Sequence, residues 1–186
     1  MSRPFTPLGD DDWPAQIDDM RAGFAGQLNV YRLMAHHPDL LRAWQGLRTH
    51  VVQHNALGRA RAEVVILRLA HRLDCAYEWN QHVLRGLDAG LSRARIAALQ
   101  GALCGMIPED ALLAGATDAL FDHAQLSPVQ VAELERMVGR AGVLDLMATA
   151  GMYLTLGFLL QTTAAPLDDD VSAGLEQRAP ELRRQK

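Results

Sequence analysis

Cysteine is nearly absent from this chain. Cys75 and Cys104 are the only two in 186 residues, too few for a disulfide-stapled secreted scaffold. Aromatic residues make up 5%, and alternating β-branched runs of the kind that build strands hardly occur. There is no basic stripe: 18 Lys and Arg are scattered among 22 Asp and Glu, for a net charge of −4. Nucleic acid is therefore not an expected partner. The longest nearly apolar stretch, Leu146 to Leu160, falls short of the ~20 residues that span a bilayer and reads as a buried helix, so no membrane partner is expected. The opening M-S-R-P-F-T-P-L-G-D-D-D-W carries no apolar signal core, and its acidic run argues against a transit peptide. Cytoplasm is the expected compartment.

What is present is helix-forming: Ala, Leu, Arg, Glu and Gln dominate, which predicts an all-α chain closing one core. Residues 1–16, with Pro4, Pro7 and Pro14, read as an N-terminal arm. Residues 17–170 read as the helical domain and 171–186 as a charged tail that packs as a short helix or frays. Helices are expected over Ile17 to Val30, Asp39 to His54 and Leu57 to Ala70, the last apolar nearly all round and hence central. Further helices are expected over 75–89, Arg93 to Leu103 and Pro108 to His123. The last two are Val129 to Gly139, behind a Ser127-Pro128 start, and Val143 to Thr163. Similar segments begin at Leu57, Leu91 and Leu126. They read as three ordinary helix starts rather than a proven repeat.

Chemistry gathers in D-C-A-Y-E-W-N-Q-H, Asp74 to His82. At ~100° per residue, Cys75, Glu78 and His82 share one helix face. A carboxylate four residues before a histidine can hold one ring nitrogen and raise the imidazole pKa. The competing explanation is a Glu–His pair on a solvated face, worth only tenths of a kcal/mol. Glu63 adds to the first reading. It lies in an otherwise apolar helix just before Cys75, and helices joined by a short turn pack antiparallel, which could turn it toward His82 or Cys75. A first-turn glutamate favoured by the helix dipole is the alternative.

The other histidines carry less. His36-His37 before Pro38 read as a helix-ending turn, His50 and His54 as a solvated pair, and Asp122-His123 as a helix end. Glu63, Glu78, His82 and Cys75 are donor types that could hold a divalent ion, but a catalytic zinc site more often uses several histidines. No metal and no cofactor are expected.

The segments N-V-Y-R-L-M-A-H-H-P-D-L-L-R-A-W, E-V-V-I-L-R-L-A and Y-E-W-N-Q-H-V-L-R-G-L-D-A-G-L, between Asn29 and Leu99, resemble the carboxymuconolactone decarboxylase and alkyl hydroperoxidase D superfamily. So does the later G-M-Y-L-T-L-G-F-L-L-Q-T-T-A-A-P-L-D, which extends the likeness to Asp169. The resemblance implies an all-helical bundle assembled as a homo-oligomer, a trimer or hexamer. In the superfamily's peroxidase branch the pattern is Cys-x-x-Cys-x-x-x-His with a glutamate twelve residues before the first cysteine. Glu63, Cys75 and His82 fall on matching positions, while Glu78 replaces the second cysteine and removes the resolving thiol of a peroxide cycle. The Glu78-x-x-x-His82 spacing is similar to the decarboxylase branch. Where the family's closing helix often reads Gly-x-Tyr-His, this chain has Gly151-Met152-Tyr153-Leu154.

The implied catalytic set is Glu63, Cys75, Glu78 and His82. The first expectation is acid/base chemistry, decarboxylation or a related lyase step, on a small organic acid or lactone. Peroxidase or thiol-redox chemistry through Cys75 is the alternative, and a non-catalytic binding bundle is a third. Tyr77, Trp79, Met106 and Tyr153 are expected to shape the pocket.

Overall fold

The computed structural model describes residues 5–185. Among them no strand occurs, and the architecture is an all-α bundle. The elements used below are α1 Asp18–Arg21, α2 Phe24–Gln27, α3 Asn29–Met34, α4 Pro38–Thr49, α5 Arg59–Arg72, α6 Ala76–Asp88, α7 Arg93–Ala98, α8 Pro108–His123, α9 Pro128–Thr163 and α10 Asp169–Arg178.

Helix α5 is the centre, as its all-round apolar character requires: Val64, Val65, Leu67 and Leu69 are buried, and α6, α8 and α9 pack around it. Two apolar clusters result. One gathers α3, the arm and the C-terminal half of α9, and includes Tyr31, Cys75 and Tyr153. The other joins α5 and α6 to α8 and α10, and includes Trp79, Ile96 and Leu175. Burying the larger side chains contributes roughly 1.5–3 kcal/mol each.

Several helix limits depart from expectation, each for a local reason. The helix expected over Ile17 to Val30 is instead two single turns, α1 and α2, with extended backbone at Gly23 (ψ −158°) and Leu28. Gly26 is essential there, because a Cβ would lie 2.0 Å from the Arg21 carbonyl oxygen. The helix expected over Arg93 to Leu103 stops at Ala98. Buried Arg68 donates from Nη1 to the carbonyls of Leu99 (2.8 Å) and Gly101 (2.9 Å), accepting the chain as it turns away. Helix α4 runs on into a π-helical turn, His50–His54, fastened by His50 Nε2 to Asp145 of α9 at 2.7 Å.

Helix α9 is long and apolar enough to cross a membrane by length and composition, but 56% of its most apolar window is buried within the protein. It is also interrupted: Gly139 has φ +68°, a left-handed conformation that other residues adopt only with strain. The break falls where the sequence separates its last two expected helices.

Both ends of the domain are tied down as far as they are described. Arg32 donates to the Leu8 and Gly26 carbonyls at 2.7 Å each, and Trp13 and Ile17 are buried; residues 1–4 of the expected arm lie outside the described residues. At the other end, α10 packs on α6, and Trp79 Nε1 donates to the Leu182 carbonyl at 2.7 Å. The Asn80 amide pairs with both the backbone N–H and C=O of Arg184 at 2.9 Å.

Candidate active site

Helices α5 and α6 are antiparallel neighbours joined by the short turn at Leu73–Cys75, where Asp74 takes φ +51°. This crossing sets Glu63 of α5 against His82 of α6. His82 Nδ1 lies 2.6 Å from Glu63 Oε2, and His82 Nε2 lies 3.4 Å from Glu78 Oε2. All three side chains are buried: Glu63 7%, Glu78 4% and His82 2% exposed. The pair is therefore not a solvated one. The rings of His82 and Tyr153 of α9 stand perpendicular, at a centroid distance of 4.9 Å and an interplanar angle of 88°.

Burial alone would lower the His82 pKa. The charge and hydrogen bond of Glu63, then the hydrogen bond of Glu78, outweigh it and raise the pKa above its usual 6.5, with Arg85 opposing. The protonated ring is thus favoured relative to a free imidazole. Arg85, one turn beyond His82 on α6, supplies a second cation near both glutamates.

Two hollows meet at this cluster. A cavity of about 500 Å³ is lined by Arg48, Asn55, Arg59, Glu63, Arg85 and Tyr153, among others. A void of only about 10 Å³ touches Glu78, His82, Arg85 and Tyr153, barely room for one water. Glu63 therefore faces the large cavity. His82 does not line it and sits behind a wall made by Glu63, Arg85 and Tyr153.

Cys75 is placed differently. It is the residue before α6, with extended φ/ψ of −90° and 95°, so the helical phase that aligns it with Glu78 and His82 does not apply to it. It lines a separate cleft of about 260 Å³ with Tyr77, Leu160 and Gln161. Burial pushes its thiol pKa up to about 11, against the opposing backbone N–H of Glu78. Cys75 is buried and Cys104 exposed, and both are free thiols.

Of the side chains expected to shape the pocket, Tyr153 alone lines the large cavity. Trp79 and Met106 belong to the other apolar cluster. Tyr77 donates its hydroxyl to Asp168, which also accepts from Gln81 Nε2 at 2.5 Å and the Asn29 backbone N–H at 2.9 Å. That network clamps the Pro166–Asp168 exit onto α6 and α3. Arg48 and Arg85 are cavity residues the sequence reading passed over. Arg85 was findable, since Glu78, His82 and Arg85 follow one another at i, i+4 and i+7. Nothing in the sequence marks Arg48. Among the described residues no group of three or more His, Cys, Asp or Glu side chains is arranged to hold a metal ion.

An all-α bundle with a carboxylate–imidazole–carboxylate set at the crossing of its central helices is the arrangement found here. Residues 38–119 match the model of the carboxymuconolactone decarboxylase family, a match that supports the resemblance to the carboxymuconolactone decarboxylase and alkyl hydroperoxidase D-like superfamily. No curated protein matches the sequence. Among solved structures, a cysteine-to-alanine variant of the debrominase Bmp8 in complex with 2,3,4-tribromopyrrole is similar at 16% identity. That match covers 95% of this chain and 98% of the other, with a TM-score of 0.76. The apo form of Bmp8 gives 16%, 95%, 98% and 0.74. An uncharacterized peroxidase-related protein from Silicibacter sp. TM1040 gives 14%, 92%, 97% and 0.72. At these identities the likeness is one of fold.

Proposed function

We propose that this protein is an acid/base enzyme acting on a small organic acid or lactone, in a decarboxylation or related lyase step. The observation that carries the reading is the 2.6 Å contact between buried His82 and Glu63, with Glu63 facing a cavity of about 500 Å³. That size suits a small molecule. The order of the two groups assigns their roles. Glu63 is the catalytic residue that meets the substrate, and His82 is the positioning residue behind it that stores a proton. Glu78 holds the second ring nitrogen.

In a decarboxylation the bond to the leaving carboxylate breaks, and CO₂ departs. The electron pair stays on the substrate carbon, delocalised into an adjoining carbonyl. The imidazolium then passes its Nδ1 proton to Glu63, which delivers it to that carbon. Neutral His82 regains a proton from solvent. General acid–base assistance of this kind contributes about 10²–10⁴-fold.

Thiol chemistry fits less well. A nucleophilic cysteine needs a thiolate, and Cys75 is pushed the other way and opens to a different cleft. Screening small carboxylates and lactones for turnover, with Glu63→Gln, His82→Gln and Cys75→Ser variants alongside, tests the assignment. Turnover lost in the first two and kept in the third is the expected result. Peroxide consumption with a thiol reductant that disappears in Cys75→Ser, together with no turnover of the screened acids, would overturn it.

A further inference from the structure

The large cavity holds more positive charge than the protein neutralises. The Arg85 guanidinium is half-buried and lies near the charges of Glu63 and Glu78, yet makes no hydrogen bond or close ion pair with any described residue. Arg48 has a buried Nε without a hydrogen-bond partner and no paired carboxylate. Its guanidinium stacks on the Phe24 ring, 4.1 Å from the centroid. Arg59, exposed at the same cavity, is likewise unpaired. Beside Arg85, the Tyr153 hydroxyl makes no hydrogen bond within the protein, although the residue is only 4% exposed. The one carboxylate lining this cavity, Glu63, is already engaged by His82.

Enclosed donors are ordinarily satisfied, and an enclosed guanidinium without an anion is costly. Here the buried, unpartnered Nε of Arg48, the guanidinium of Arg85 without a hydrogen bond of its own, and a free hydroxyl converge on one hollow. We propose that Arg85 and Tyr153, with Arg48 beside them, form an anion-binding subsite that takes a carboxylate group of the cavity's ligand. The guanidinium of Arg85 presents a planar pair of N–H donors suited to the two carboxylate oxygens. The Tyr153 hydroxyl supplies one more donor on the same wall. The inference rests on the acid/base reading for its substrate, because the bound carboxylate would lie on the wall shared with Glu63. The positions of the cations stand apart from that reading.

The test is binding rather than turnover, so the two proposals fail separately. Saturation-transfer NMR with benzoate and with benzamide, probes of one shape and different charge, is run on the full chain. Benzoate should bind at least about tenfold more tightly than benzamide, the margin expected for charge-assisted hydrogen bonds. Arg85→Met should remove that preference, Arg85→Lys should restore part of it, and Tyr153→Phe should weaken benzoate by about three- to tenfold. Inorganic phosphate should compete with benzoate. If Arg85→Met does not fold, the wild-type comparison and Tyr153→Phe decide. Equal binding of the two probes, or benzoate binding indifferent to Arg85 and Tyr153, overturns the subsite. Benzoate held through Arg85 in a protein that turns over no acid or lactone keeps the subsite and removes the acid/base reading.

Discussion

Glu63 and His82, on successive helices, meet with Oε2 and Nδ1 2.6 Å apart in a space almost closed to solvent. Their contact raises the imidazole pKa despite its burial. It also orders the site from outside inward: cavity, carboxylate, imidazole, second carboxylate.

This contact links stability to pH. His82 has a folded pKa above its unfolded value of 6.5, so the stabilisation from its proton is full below that value. It is lost as pH rises through the folded pKa. Urea unfolding followed at a series of pH values should show wild-type stability declining over that upper window. Glu63→Gln should remove much of the decline. An imidazole NMR titration placing His82 below 6.5 would refute the argument. If the imidazolium is the stored acid, turnover should fall across the same window.

The two thiols should differ sharply in reactivity. Cys104 is exposed, whereas Cys75 is buried with its pKa pushed up to about 11. Labelling with a thiol-specific reagent at neutral pH, read by peptide mass spectrometry, should modify Cys104 and leave Cys75 intact until the protein unfolds. Rapid modification of Cys75 in the native state would revive the thiol alternative.

Asp168 should be costly to remove. Its carboxylate accepts from Tyr77, Gln81 and the Asn29 backbone, all enclosed or nearly so. Asp168→Ala leaves these donors unpaired, and a loss of about 2–4 kcal/mol is expected from buried donors left without an acceptor. Denaturant unfolding measures it. A loss within 0.5 kcal/mol, the ordinary range for surface changes, would mean the clamp is dispensable.

Assembly with further copies of the chain is also expected. Leu40 and Leu47 on α4 and Leu144, Met147 and Phe158 on α9 are exposed apolar side chains available to bury against another copy. Light scattering coupled to size-exclusion chromatography should give a multiple of the monomer mass, a trimer or hexamer. Leu144→Asp and Phe158→Asp together should lower it. A monomer at micromolar concentration would count against assembly.

The sequence by itself determined the helical class and the central place of α5, because both follow from propensity and apolar periodicity along the chain. It also put Glu78 and His82 on one face, since helical phase is local. It misjudged Cys75, which precedes the helix and escapes its phase. The tertiary structure alone decided which face looks into a hollow. The wall of Arg48, Glu63, Arg85 and Tyr153 comes from α4, α5, α6 and α9. A cavity is the space that packed helices fail to fill, so no single helix carries its outline, and unpaired charge within it is visible only when all four are in place.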